Sequence, residues 1–280
     1  MNVKNIPGFH TRMTEDMSLT IFNEGYDEAM HTHSGAYNES LVKHVGASGI
    51  LNNGNDTACV LDIGFGIGYN ILALLTEMSK KRPGFFINIV SLERTRDYLP
   101  LMESIVFNDE RDTFFEPVKI ALGSGFAESK NCKIRVLMGD ARETIKTLED
   151  TSFDAVFHDP FSHLKNPELW SVEFLREEYR VMNNAGVLTT YSAAPQVRTG
   201  LLEAGFLIGR GPQFGNKKGA TLAAKREVIK SFEVNEIVEL KKNPQSIPYR
   251  DMTGKDSKDE ILERWHRDLA SKEHHRARRE

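Results

Sequence analysis

The sequence predicts an α/β fold: a doubly wound, mostly parallel sheet with an antiparallel last strand, preceded by a small N-terminal β-rich extension. Three observations predict it. Short apolar runs alternate with segments of helical spacing from Val60 to Ala204, the pattern of successive βαβ units. The first run, Val60-Leu61-Asp62-Ile63, leads into Gly64-Phe65-Gly66-Ile67-Gly68-Tyr69-Asn70, with glycines at spacing two before a helical pattern. Successive predicted strands carry an acid at or near the end: Asp62, Glu93, Asp140 and Asp159. Open parallel sheets bind ligands beyond the carboxyl ends of their strands, where strand order reverses.

The elements follow in order. After the glycine turn, Ile71 to Lys80 reads as a helix and Phe85 to Glu93 as a strand. A polar stretch with helical patches runs to about Lys130. Lys133 to Asp140 is a strand, Arg142 to Leu148 a short helix, and Phe153 to Pro160 a further strand. Pro167 to Met182 reads as a helix, with proline in its first turn and Asn166 as the expected cap. Gly186 to Tyr191 is a strand and Pro195 to Ala204 a helix; the runs at Phe206–Gly209 and Thr221–Lys225 pair as a final hairpin. The expected organisation is an extension or lid over residues 1–57, a core over 58–230 and a polar tail over 231–280, helical or loosely held.

Bulk properties narrow the class. The chain of 280 residues suits one large domain or two small ones. It has no apolar run of the ~18 residues that a membrane helix needs, and its start lacks the pattern of a secretory leader. Cys59 and Cys132 are the only cysteines. Both sit in or beside strand-like runs and are expected to be buried thiols, which favours a reducing, cytoplasmic setting. A net charge of −4 gives no bulk signal for nucleic acid, so such binding requires a local patch. The sequence carries no signal for oligomeric state.

The glycine spacing discriminates between ligands. A dinucleotide turn uses G-x-G-x-x-G to seat a pyrophosphate. The G-x-G-x-G turn fits S-adenosyl-L-methionine (SAM), which has none. On this reading the core is a Rossmann-like SAM-dependent methyltransferase fold. Its cofactor-binding candidates are Asp62, Gly64, Gly66, Gly68, Asn70, Glu93, Asp140, Ala141 and Asp159. An acid after the second strand suits the paired ribose hydroxyls, Asp140 the adenine amino group, and a carboxylate near the first turn the cationic amino-acid moiety. A lone glycine turn is also compatible with a purely structural role.

The segment from His158 to Trp170 is the most specific. It resembles the MnmC/MnmD family of SAM-dependent tRNA (5-methylaminomethyl-2-thiouridylate) methyltransferases, whose pattern here is Asp-x-Phe-Ser/Ala-Pro-x-Lys-Asn-Pro-x-x-Trp. Asp159, Phe161, Ser162, Lys165, Asn166, Pro167 and Trp170 match, and His163 stands where proline is usual. Residues 26–40 resemble the family's E-x-Y-H-S-x-x-G-A-x-x-E-S stretch, with Met30 and Thr32 as departures. Val197 to Phe206 and Phe214 to Lys218 resemble its close. The resemblance runs over roughly residues 15–226 and leaves the tail uncovered.

The resemblance implies a stand-alone form without the flavin-dependent oxidoreductase domain of bifunctional members, because residues 231–280 are too few to hold one. It implies N-methylation of the 5-aminomethyl group of wobble uridine in the anticodon loop of tRNA, giving 5-methylaminomethyluridine. Asp159 would be the catalytic residue, orienting the amine. Glu39, Phe161, Lys165, Trp170, Lys217 and Lys218 would bind substrate: Phe161 and Trp170 by stacking on a flipped-out base, the lysines with Arg210, Lys225, Arg226 and Lys230 by meeting phosphates. Trp170 packed under its helix and Glu39 as a solvated helix residue are the plainer readings. No metal is expected, because His31, His33, His158 and His163 lack a third close ligand. Competing readings are methyl or aminopropyl transfer to a small-molecule or protein amine, an RNA-binding module with a degenerate pocket, and a dehydrogenase, for which the glycine spacing is wrong.

Overall fold

A computed structural model describes residues 6–215 and 219–277. The chain opens with β1 (Phe9–Met13), β2 (Leu19–Asn23) and β3 (Glu28–Ala29), a three-stranded antiparallel sheet. Helix α1 (Ala36–Ser40) continues into a π-helical turn over Leu41–Gly46, and a 3₁₀ turn, Ile50–Asn52, leads to the core.

The core follows as β4 (Thr57–Ile63), α2 (Tyr69–Lys81), β5 (Phe86–Glu93), α3 (Leu99–Met102), α4 (Arg111–Ser124), β6 (Phe126–Glu128), β7 (Cys132–Met138), α5 (Ala141–Thr144), β8 (Phe153–His158), α6 (Val172–Val181), β9 (Met182–Thr190), α7 (Pro195–Ala204), β10 (Leu207–Gly211) and β11 (Ala220–Ala224). Helices α8 (Val234–Lys242) and α9 (Lys258–Ala277) end the described chain.

The large sheet has the order β10-β11-β9-β8-β4-β5-β7-β6. Its inner pairs β9–β8, β8–β4, β4–β5 and β5–β7 are parallel, and the flanking strands β11, β10 and β6 are antiparallel. From β4 the chain moves outward to β5 and β7, then returns to lay β8 on the other side of β4. The order therefore reverses between β4 and β8, and a crevice opens above their carboxyl ends.

Alternation along β4 shows why the sheet is covered on both faces. Val60 packs with α2, α4 and the N-terminal extension, while Leu61 and Ile63 pack with α6, α7 and the C-terminal segment. Successive strand residues point to opposite faces, so both of these sets need helices over them.

The helix expected over Pro167–Met182 is interrupted. Pro167–Trp170 forms a 3₁₀ turn, Ser171 turns extended, and its Oγ caps α6 by accepting from Phe174 N–H. Ser171 also pairs with Tyr249 of the C-terminal segment, whose carbonyl accepts from Val172 N–H at 3.1 Å. A distant strand-like contact thus decides where the helix begins. Asn166 makes no side-chain cap; its amide donates to Glu168 instead. The tail is docked: Tyr249, Ile261 and Trp265 are buried in the core. No helix among the described residues is long and apolar enough to cross a membrane.

Candidate active site

The floor of the crevice is built where β4 gives way to α2. Gly64 N–H donates to Leu92 O at 3.1 Å and Asp159 N–H to Ile63 O at 3.1 Å, so the tips of β5, β4 and β8 stay in register just where the chain turns. Gly64 has φ of +88°, and a Cβ there would lie 2.9 Å from the Asp159 carbonyl oxygen. Only glycine permits both the left-handed backbone and that approach. The acid at the end of β5 supports the same turn. Glu93 accepts Gly66 N–H with one oxygen and Arg94 and Thr95 N–H with the other. Burial nevertheless pushes its carboxyl up.

Below the floor runs a chain of polar side chains. Ser91 Oγ donates to Asp62 at 2.6 Å, and the Asn70 amide donates to Asp62 at 3.1 Å and to Asp159 at 3.0 Å. His44 Nε2 lies 3.5 Å from the second Asp159 oxygen, and its Nδ1 is 2.9 Å from Thr189 Oγ1. Burial alone would raise both aspartates, and for Asp62 it does, to about 7. At Asp159 the burial effect is outweighed by His44, then by His31 and Asn70, which together hold the carboxyl below its ordinary range. The adjoining carboxylates are thus driven apart, with Asp159 the ionised one.

A cavity of about 810 Å³ lies over this floor, within the size range of small-molecule sites. The N-terminal sheet forms its roof. Tyr26 stacks on Phe161 with ring centroids 4.0 Å apart and planes at 15°, Glu28 accepts Ser162 N–H at 2.9 Å, and Lys165 pairs with Asp27 at 2.8 Å. The loop after β8 is thereby latched to the loop before β3. At the far wall, Asp140 is held by Arg142, whose remaining nitrogen reaches Asp251 at 2.8 Å and Asp256 O at 2.9 Å in the C-terminal segment. Lys258, the first residue of α9, also lines the cavity.

Comparison with known proteins gives this geometry a family. A sequence profile of S-adenosyl-L-methionine-dependent methyltransferases matches residues 113–226. The crystal structure of MNMC2 from Aquifex aeolicus superposes with a TM-score of 0.85 at 31% identity, covering 94% of this chain and 86% of that one. The chain belongs to the MnmC family of SAM-dependent methyltransferases. An uncharacterized Methanocaldococcus jannaschii protein is 32% identical over 89% of this chain and 69% of its own length. The tRNA 5-methylaminomethyl-2-thiouridine biosynthesis bifunctional protein MnmC of Ralstonia nicotianae is 29% identical over 73% of this chain. The chain spans 33% of that bifunctional relative.

The residues present fit SAM. Gly64, Gly66, Asn70, Glu93, Asp140, Ala141 and Asp159 all line the one cavity. The Asn70 side-chain amide oxygen is buried and has no hydrogen-bond partner among the described residues, an acceptor available to a donor such as the cofactor's ammonium group. Glu93 is the last residue of the second core strand, where a ribose is expected. Phe161 and Lys165 line the same cavity.

Other sequence expectations are corrected. Asp62 is fully buried and does not line the cavity; it is joined to the site by the Asn70 amide, which bonds both Asp62 and Asp159. Gly68 also stands back, as the left-handed residue before α2, where a Cβ would fall 2.4 Å from Val118. Trp170 is completely buried, donates to Phe161 O at 2.8 Å and sits edge-on against His158. Its ring is covered and offers no face to a base. Glu39 is neither solvated nor on the cavity wall: it accepts from Thr32 N–H and Oγ1 and pairs with Lys43 at 2.9 Å, tying the lid turn to α1. Lys217 and Lys218 lie outside the described residues. Of the remaining basic candidates, Arg210 pairs with Glu236 and Lys225 stands over the Tyr179 ring.

Sequence reading missed His44, Tyr26, His31 and Arg142 as parts of this site. Tyr26 and His31 lie inside the family-like stretch at residues 26–40, yet the pattern names no role for them. Nothing in the local sequence marks His44, which meets Asp159 across more than a hundred residues of chain.

Proposed function

We propose that the chain N-methylates the 5-aminomethyl group of wobble uridine in tRNA, giving 5-methylaminomethyluridine. The observation that carries this reading is Asp159, an ionised carboxylate at the tip of β8 that lines a cavity whose other acids include Glu28 and Glu93. Such a site attracts a cationic amine. The choice of acceptor is supported by the bifunctional MnmC relatives, which are named for tRNA 5-methylaminomethyl-2-thiouridine biosynthesis.

A primary alkylamine has a pKa near that of lysine, about 10.4, and arrives as an ammonium ion. Asp159 receives it by a charge-assisted hydrogen bond and orients the nitrogen. Being a weak base, Asp159 does not keep the proton, which passes to solvent before or during seating. When bound, SAM supplies a methyl already activated on a sulfonium. The protein contributes alignment, an effect worth up to roughly 7–11 kcal/mol in good geometry. The Tyr26–Phe161 stack and the Glu28–Ser162 contact tie the roof to the loop that follows β8. Phe161 and Lys165 line the same cavity, and the nucleoside and its backbone would meet them there in exchange for their present partners, Tyr26 and Asp27.

The test is incubation with SAM and tRNA from a strain lacking the modification, followed by mass spectrometry of the nucleosides. One added methyl on 5-aminomethyluridine is expected, with turnover falling roughly 10²–10³-fold in Asp159→Ala. Methylation of free amines but not of tRNA would replace this reading by that of a small-molecule amine methyltransferase.

A further inference from the structure

We propose that His44 is a positioning residue for Asp159, holding that carboxylate fixed and ionised to receive the substrate amine. The inference rests on the amine-methylating reading above. His44 does not line the cavity, so it reaches neither substrate nor cofactor directly.

The geometry leaves the imidazole little freedom. Its side chain is 1% exposed and its ring lies against Phe157, centroids 5.6 Å apart. Nδ1 is held by Thr189 Oγ1, itself fully buried. Nε2 faces Asp159 Oδ1 while Asn70 holds Oδ2, so each carboxylate oxygen has its own donor. A lone pair on Nε2 would repel the carboxylate, so one proton must lie between them. Where Thr189 donates to Nδ1 the ring is neutral; where Thr189 Oγ1 donates to Val156 O, 3.5 Å away, Nδ1 donates to Thr189 and the ring is an imidazolium; in both, Nε2–H faces Asp159 at 3.5 Å. The Asp–His pair is thus set up as a fixed donor behind an acceptor that faces the cavity.

A second observation is independent of these distances. His44 sits on the π-helical turn Leu41–Gly46 that interrupts the continuation of α1. Such turns are rare and concentrate at functional sites. The charged surroundings are mixed: Asp62 and Asp159 face His44 from the sheet, and Lys43 on its own turn pairs with Glu39 of α1. His31 acts on Asp159 from the lid loop, and Tyr191 lines the cavity nearby.

His44→Leu and His44→Gln test the proposal, because glutamine can place its amide nitrogen near the position of Nε2. In His44→Leu, kcat is expected to fall about 10- to 100-fold, and the acid limb of kcat/KM to move up by roughly one pH unit or more. His44→Gln should recover most of the rate and return the limb toward the wild-type position. A merely structural role would cost both variants alike and leave the limb in place. Carbon-13 NMR of aspartate-labelled protein reads the same carboxyl without activity, with Asp159→Asn assigning its resonance. An unshifted Asp159 titration in His44→Leu would overturn the proposal. If wild-type protein transfers no methyl to tRNA, the proposed function fails, and the NMR titration still decides the role of His44.

Discussion

Asp62 and Asp159 stand on neighbouring strands and share one amide, yet their surroundings push them in opposite directions. Asp62 has only neutral donors, Ser91 and Asn70, and burial lifts it to about 7. The sign for stability follows. Below about pH 4 Asp62 is protonated in both folded and unfolded chains. As pH rises from 4 to 7 the unfolded carboxyl ionises and the folded one does not, so stability declines across that window and levels off above it. The loss is on the order of 4 kcal/mol over the whole window. Asp62→Asn removes it, and its amide fits because Ser91 Oγ is also 3.2 Å from Asp62 O and can turn to accept. The melting temperature of Asp62→Asn is expected to gain on wild type steadily between pH 4 and 7, with SAM affinity within a few-fold. A constant gap across that range would show that Asp62 ionises in the folded protein as it does in water.

At the scale of elements, the turn between β4 and α2 does two jobs that one residue cannot separate. Gly64 lets the chain reverse with positive φ and lets β8 approach closely enough for Asp159 to face the cavity. Gly64→Ala costs about 1–2 kcal/mol in backbone strain and drives the Asp159 carbonyl away. SAM affinity is expected to fall at least about tenfold, a loss that calorimetry would measure, since a displaced Asp159 disturbs both cofactor and acceptor. Near-normal affinity would mean that the β8 tip moves without consequence. This turn was legible in the sequence because its requirements are local: an apolar run, an acid, glycines at spacing two and a helical pattern. The parallel core, the hairpin of β10 and β11 and the placing of Glu93 and Asp140 on the cavity wall were legible for the same reason. The break before α6 was not. Pro167 and the residues after it satisfy a helix start, but the extended Ser171, which caps α6 through its Oγ and pairs with Tyr249 far along the chain, separates the 3₁₀ turn from the helix.

At the scale of the whole molecule, the C-terminal segment changes from an expected tail to a wall of the site. Its composition is polar because only one side of it is buried. Its buried apolar contacts are few, Tyr249 before α9 and Ile261 and Trp265 on it, and Leu262 and Leu269 extend that stripe only partly buried, so the pattern is outweighed by the charged residues between them. His163, the departure from the family pattern, belongs to this arrangement. Its Nδ1 meets Tyr249 Oη at 2.9 Å, and burial pushes the imidazole down to about 4, so it remains a neutral partner for the segment. Arg142 then joins the segment to the cofactor side of the cavity. Its fork grips Asp140 while its third nitrogen holds Asp251, which is 1% exposed. Arg142→Ala strands a buried carboxylate, a change that costs about 3–5 kcal/mol, or roughly 5–10 °C in melting temperature. It also frees Asp140, so SAM affinity should fall several-fold in the same protein. Arg142→Lys should recover little of either, because one ammonium cannot span two carboxylates in fixed directions. Loss of stability with unchanged SAM affinity would confine the segment to a structural brace. Loss of both together is expected, because the same guanidinium completes the fold and sets the position of an acid on the cavity wall.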